Sequence, residues 1–126
     1  MKTLNIGILS YSEQKNRLFA IARGEIKPKD DEPKIWFTSW EALHHVLSTK
    51  NMELIKTITK HKPTSIRELA KLAHRQESNV ARDIKKLEKY KIIKSSRYGR
   101  TKKPTFPYSE IVTKQILSDS PSHVRA

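Results

Sequence analysis

Leu4, Ile6 and Ile8 alternate with Thr3, Asn5 and Gly7. This period of two predicts a short strand over Thr3–Leu9. From Ser10 the period lengthens. Leu18, Phe19 and Ala22, with Tyr11, fall on one face of a helix running to about Arg23 and closed by Gly24. Glu25 to Pro33 is polar, holds two prolines and reads as a surface connection. Lys34 to Thr38 (KIWFT) is a second short strand, with Ile35, Trp36 and Phe37 available for burial. Residues 1–38 thus form a β-α-β arm that is too short to bury a core alone. Its apolar surface is expected to pack on the rest of the chain, a second copy or another protein.

Further along, helical periods take over. Ser39 is placed as a cap, and Trp40, Leu43, Val46 and Leu47 come after it at helical spacing. Ser48 is a second cap, before a helix with Met52, Leu54, Ile55 and Ile58 inward that ends near His61. Pro63 breaks that helix. Ser65 caps the next, Glu68 completes a capping-box pattern, and Ile66, Leu69, Ala70 and Ala73 face inward. The next helix covers about Glu77–Lys89, its buried face set by Val80, Ile84 and Leu87. Two short helices about a tight turn form a helix-turn-helix pattern. Ile92 to Ser95 then reads as a strand, Arg97 to Lys103 as a basic turn, and Thr105–Tyr108 with Ile111–Ile116 as returning extended structure: a wing. Pro104 and Pro107 assign the return to an edge. The expected class is α+β: a winged helix-turn-helix over 39–117, the arm over 1–38, and a frayed polar tail over 118–126.

Charge changes this picture. The 126 residues carry a formal net charge of +13. Residues 1–50 hold 8 Lys and Arg against 6 Asp and Glu, and residues 51–126 hold 18 against 7. The excess therefore lies in the helix-turn-helix and the residues C-terminal to it, which favours a polyanionic partner. The chain has no cysteine, so disulfides and Cys-based zinc sites are excluded. No apolar run approaches the roughly 20 residues that span a bilayer, and the N-terminus lacks the makings of a signal peptide. A cytoplasmic protein is expected. The Asp30-Asp31-Glu32 cluster reads as a solvated acidic turn, and the adjacent His44 and His45 point apart on a helix; neither predicts a metal site. No nucleophile elbow, phosphate loop, HExxH or workable carboxylate pair is present, so no enzyme and no cofactor is expected.

Positions define the candidate contacts. N-terminal residues of a recognition helix reach base edges, which selects Gln76, Ser78, Asn79 and Arg82. Lys85, Lys86 and Lys89 lie further along, towards phosphate or solvent. Arg67 and Lys71, on the preceding helix, can clamp the backbone, and Ser65 at its start is a further DNA-binding candidate. Arg97, Arg100, Lys102 and Lys103 form the basic wing tip, suited to a phosphate strand or the minor groove. In the arm, Phe19, Ile35, Trp36 and Phe37, with Trp40 beyond it, are candidate protein contacts. Many helix-turn-helix sequences have Gly and then an apolar residue in the turn; His74 and Arg75 stand there instead.

These residues resemble the winged helix-turn-helix of MarR/ArsR-like transcriptional regulators. More narrowly they resemble a small archaeal and bacterial family of DNA-binding proteins. The resemblance is carried by His61, Lys62, Pro63, Ser65, Glu68, Leu69 and Ala70; by Asn79, Val80, Arg82, Lys85, Leu87 and Glu88; and by Gly99, Arg100, Lys103, Pro104, Pro107 and Tyr108. Ile21 to Phe37 also fits the group. The resemblance implies the antitoxin of a type II toxin–antitoxin pair that also represses its own operon. The expectation built on it is a homodimer on a palindromic double-stranded DNA operator, with the arm's apolar residues Phe19, Ile35, Trp36 and Phe37, and Trp40, as the contacts to a cognate toxin. The alternatives are a winged-helix repressor with no toxin partner and an RNA-binding winged helix.

Overall fold

The first strand, β1 (Thr3–Ile8), buries Leu4, Ile6 and Ile8 on one face; on the other, Thr3 and Asn5 are half-buried, while Gly7, and Leu9 just beyond the strand, are buried. Such a strand needs a neighbour at each edge and cover above and below. The structure, a computed structural model, describes residues 2–117, so the tail expected over 118–126 lies outside the described residues. It is α+β, with five helices and two small sheets among the described residues. The elements are β1, α1 (Tyr11–Ala22), β2 (Ile35–Phe37), α2 (Trp40–Val46), α3 (Thr49–His61), α4 (Ile66–Ala73), α5 (Glu77–Lys89), β3 (Lys94–Tyr98), β4 (Thr101–Thr105) and β5 (Glu110–Gln115). They divide into two compact units, one from 1–43 and 109–126, the other from His44–Tyr108.

The first unit is built on a parallel sheet of order β2-β1-β5. Ile6, Gly7 and Ile8 pair with Ile35, Trp36 and Phe37, and Thr3 to Ile8 pair with Glu110 to Gln115. This corrects two expectations. Ile111–Ile116 is not a return strand of the wing but the second neighbour of β1, and the first unit takes in residues on both sides of the basic segment. The arm thus acquires the strand it lacked. Ser10 caps α1 with a full capping box: the Glu13 amide donates to Ser10 Oγ and the Ser10 amide to Glu13 Oε1. Hydrogen bonding from the Ser10 hydroxyl, and then from the Ser10 amide, holds the Glu13 carboxyl below its ordinary value.

Trp36 lies flat against β1. A Cβ at Gly7 would overlap the six-membered ring of the Trp36 indole, so only glycine fits. The Arg17 guanidinium covers the indole, 5.6 Å from its centroid, and also pairs with Glu32. Asp31 accepts a bond from Lys114 Nζ at 2.6 Å, which holds its carboxyl below the ordinary value. The acidic turn, expected to be solvated, therefore ties α1 and β5 to the connection before β2. Tyr11, Leu18 and Phe19, which the helical pattern groups on one face, remain exposed. Arg17 is the buried residue of α1 in their place.

The second unit closes around Leu54, Ile55, Ile58, Leu69, Ala70, Val80, Ile84, Leu87, Ile92 and Ile93. Ser48 caps α3, and Asn51 donates from Nδ2 to the Val46 carbonyl at 2.7 Å. Ser65 Oγ accepts from the Glu68 amide at 3.0 Å, but the Glu68 carboxylate reaches Thr64 and not Ser65, so the expected box is shifted by one residue. Three helices end on a basic residue in the left-handed region: Lys62 after α3, His74 after α4 and Lys91 after α5, with φ of 48°, 56° and 62°. At the α4–α5 turn the His74 amide bonds to the Lys71 carbonyl and that of Arg75 to Ala70, a Schellman closure. Arg75, at the position an apolar residue commonly fills, reaches Asp83 on α5 at 2.5 Å.

β3 and β4 form an antiparallel hairpin in which Tyr98 pairs with Thr101 around the two-residue loop Gly99-Arg100. Gly99 has φ 61° and Arg100 a negative φ, the pattern of a type II′ turn. The strand expected at Ile92–Ser95 starts later: Ile92 and Ile93 enter the core first. Thr101 Oγ1 donates to the Thr64 carbonyl at 3.0 Å and fastens the hairpin to the α3–α4 loop.

Stability and titration measurements test this packing. Gly7→Ala is expected to destabilise the first unit by about 1–3 kcal/mol through overpacking against Trp36. Denaturant unfolding followed by tryptophan fluorescence reads this directly, since Trp36 and Trp40 both lie in that unit. His74→Gly is expected to stabilise by roughly 0.5–1 kcal/mol, because the left-handed φ no longer carries a Cβ. Arg75→Ala should do the reverse, by about 1–2 kcal/mol, as it strips a part-buried carboxylate of its partner. An NMR titration should place Asp31 below an ordinary aspartate, and Lys114→Met should return it to that range. Because the folded pKa is depressed, the pair adds stability at neutral pH that is lost as pH falls through that folded value.

Candidate nucleic-acid interface

Charge separates along the division between units. His44–Tyr108 holds 17 Lys and Arg against 5 Asp and Glu, net +12; the remaining residues hold 9 against 8, net +1. Within the basic unit, α5 buries Val80, Ile84 and Leu87, which turns Ser78, Arg82, Lys85 and Lys89 outward. Gln76, at the N-cap, makes no cap bond with its side chain. Instead its Oε1 accepts from Asn79 Nδ2 at 3.4 Å, and Asn79 Oδ1 accepts from an Arg82 guanidinium nitrogen at 3.0 Å. Residues at i, i+3 and i+6 form a ladder along the N-terminal half of the helix. Together they offer amide donors and acceptors beside a guanidinium, the groups that pair with adenine and guanine edges. Lys86 is half-buried and donates to the His45 carbonyl at 3.4 Å, so it differs from the exposed Lys85.

The other predicted residues fall around this face. Ser65 is half-buried, with its hydroxyl engaged as the cap of α4, while Arg67 is exposed in the first turn. On the hairpin, Arg97 and Lys102 are cross-strand partners and Arg100 occupies the loop; all three are exposed. Lys103 is half-buried, with its ammonium 5.8 Å from the Tyr98 ring centroid, and Lys102 lies 4.0 Å from Glu88. With basic side chains so far outnumbering acidic ones, the unit carries a strong positive field. Sequence reasoning passed over Tyr98, which is 55% exposed beside the basic loop.

The residues assigned to a protein partner divide. Phe37 is 3% exposed and belongs to the core of the sheet, out of reach of a partner. Ile35 and Trp36 are half-buried, Trp36 being held between Gly7 and Arg17. Trp40 is 38% exposed and its indole donates to Gln115 Oε1 at 2.7 Å. Phe19 is exposed, with Tyr11 and Leu18 also on the outside of α1. A cavity of about 170 Å³ lies among Leu18, Ile21, Pro28 and Trp36.

Among the described residues no group of His, Asp and Glu is placed to hold a metal ion, and no helix is long and apolar enough to cross a membrane. No curated protein matches the chain. A family model, HVO_A0114, matches residues 46–113. The match takes in the last residue of α2, the helices α3 to α5, the hairpin and the first part of β5. It spans more than half of the sequence, and the chain belongs to the HVO_A0114 family.

Proposed function

We propose that this chain is a sequence-specific DNA-binding transcriptional regulator of the winged helix-turn-helix class. The observation that carries the reading is the outer face of α5, where the Gln76–Asn79–Arg82 ladder lies on a unit of net charge +12. In this reading α5 enters the major groove, with Gln76, Ser78, Asn79 and Arg82 at base edges. Arg67, Lys85, Lys86 and Lys89 meet phosphate, and the hairpin rests Arg97, Arg100, Lys102 and Lys103 on the flanking strand. The protein acts as a homodimer on a palindromic operator. The resemblance of its motifs extends the reading to the antitoxin of a type II pair that represses its own operon. Its first unit then offers Tyr11, Leu18 and Phe19, with the rim of Trp36 and Trp40, to the toxin.

DNA binding is measured by fluorescence anisotropy on duplex fragments of the chain's own promoter. Affinity should fall at least about a hundredfold between ~50 and ~200 mM salt. Arg82→Ala should cost about 1–3 kcal/mol and flatten the preference for one sequence, whereas Arg100→Ala should weaken all duplexes alike and lower the salt slope by about one. Salt-independent affinity, or affinity indifferent to both substitutions, would sink the reading; stronger binding to structured RNA than to any duplex would transfer it to RNA. For the antitoxin role, co-expression with the neighbouring gene product should rescue growth. Leu18→Ser with Phe19→Ser should abolish rescue and leave DNA affinity unchanged. Point changes are preferred to deleting residues 1–38, which removes the central strand of the first sheet.

A further inference from the structure

We propose that the outer edge of β5 is the dimer interface, pairing antiparallel with β5 of a second copy about a twofold axis at Val112, so that two three-stranded sheets become one of six strands. The sheet order β2-β1-β5 leaves this edge without a strand partner among the described residues. Six residues long, β5 carries no proline, one of the devices that commonly blunt an exposed edge. Lys114, the one cationic residue of β5 that could guard the edge, is bonded to Asp31.

The sequence Glu110-Ile-Val-Thr-Lys114-Gln115 selects its own partner. In an antiparallel register centred on Val112, Glu110 stands opposite Lys114 of the second copy, and Lys114 opposite its Glu110. Val112 meets itself, and Ile111 faces Thr113. Two opposite-charge pairs thus flank an apolar centre, the cross-strand arrangement that stabilises a sheet. Shifting the register by one residue sets Ile111 against Lys114 and leaves Glu110 against Gln115. Pairing in parallel register sets like charges side by side. Lys114 has three donors, so it can serve a facing carboxylate while keeping Asp31. The other outer strand, β2, has three residues and offers little to pair with. A β5–β2 contact would also be heterologous and would not close, whereas β5–β5 is isologous and stops at two.

The surface rests on the edge and its charge pattern and not on DNA binding, although a palindromic operator would require such a twofold. It is tested without DNA, by sedimentation equilibrium from micromolar to hundred-micromolar protein. The full chain should form a reversible dimer. Glu110→Lys or Lys114→Glu alone should weaken it at least about tenfold, and the double reversal should return it to within about threefold, circular dichroism confirming the fold of each. A second arm uses the absence of cysteine. Opposed residues of antiparallel strands have Cα atoms about 4.5–5.5 Å apart, inside the roughly 4.4–6.8 Å that a disulfide spans. Val112→Cys should therefore oxidise to a covalent dimer, whereas the exposed Phe19→Cys should not. A chain that stays monomeric throughout, single reversals without effect, a double reversal no better than the singles, or equal cross-linking at both cysteines would each overturn the proposal. A dimer with these properties that fails to bind DNA would leave it standing and remove the DNA-binding reading alone.

Discussion

β1 is buried along its whole Leu4-Ile6-Ile8 face and at Gly7 on the other, with Leu9 buried just beyond it, and such a strand is poorly placed at the edge of a sheet. Its demand for two neighbours governs the first unit. The connection through α1 supplies one, β2; the other arrives from residues 110–115, on the far side of the whole basic segment. The basic unit is therefore an excursion between two strands of one parallel sheet, not a domain placed after an arm. Side chains reinforce the closure. Lys114 on β5 reaches Asp31, Ser109 bonds to the Lys2 carbonyl through both its amide and its hydroxyl, and Trp36 settles on the bare backbone of Gly7.

Within the excursion, charge has displaced the residues that local geometry would favour. Lys62, His74 and Lys91 all occupy left-handed positions at helix ends, where glycine carries no Cβ penalty. A cationic side chain there complements the negative end of the helix dipole, and the two lysines add to the net charge of +12 on the unit. Arg75 follows the same logic at the turn. It replaces an apolar contact with an ion pair to Asp83, which anchors the start of the exposed helix while leaving Gln76, Asn79 and Arg82 to one another. Acidic residues are few in this unit, and three of its five, Glu53, Asp83 and Glu88, face basic partners. The outer face of α5 keeps a strong positive potential.

The two units offer different surfaces. One is basic and polar, with its long side chains turned outward along a helix and a hairpin. The other is near neutral, with Tyr11, Leu18 and Phe19 exposed on α1 and, at the outer edge of β5, no strand partner among the described residues. The polypeptide crosses between the two units twice, and in the proposed reading the basic one meets a polyanion and the other a protein.

Helix periods, caps and charge were legible in the residues themselves. Ser48, Ser65 and the spacing of Val80, Ile84 and Leu87 place α3, α4 and α5 because each signal is local and is satisfied within a turn or two of backbone. The outward residues of α5 are set by the same periodicity. What the sequence could not assign was the destination of residues 110–115. A strand reads the same whether its partner is the hairpin beside it or β1 at the opposite end of the chain. Nor could it show that Arg17 would be buried while Leu18 and Phe19 stayed outside, since that depends on Trp36 lying across Gly7 and on the guanidinium stacking above its ring. Pairing and stacking of this kind join residues that the chain keeps apart, and only the folded structure decides which of them meet.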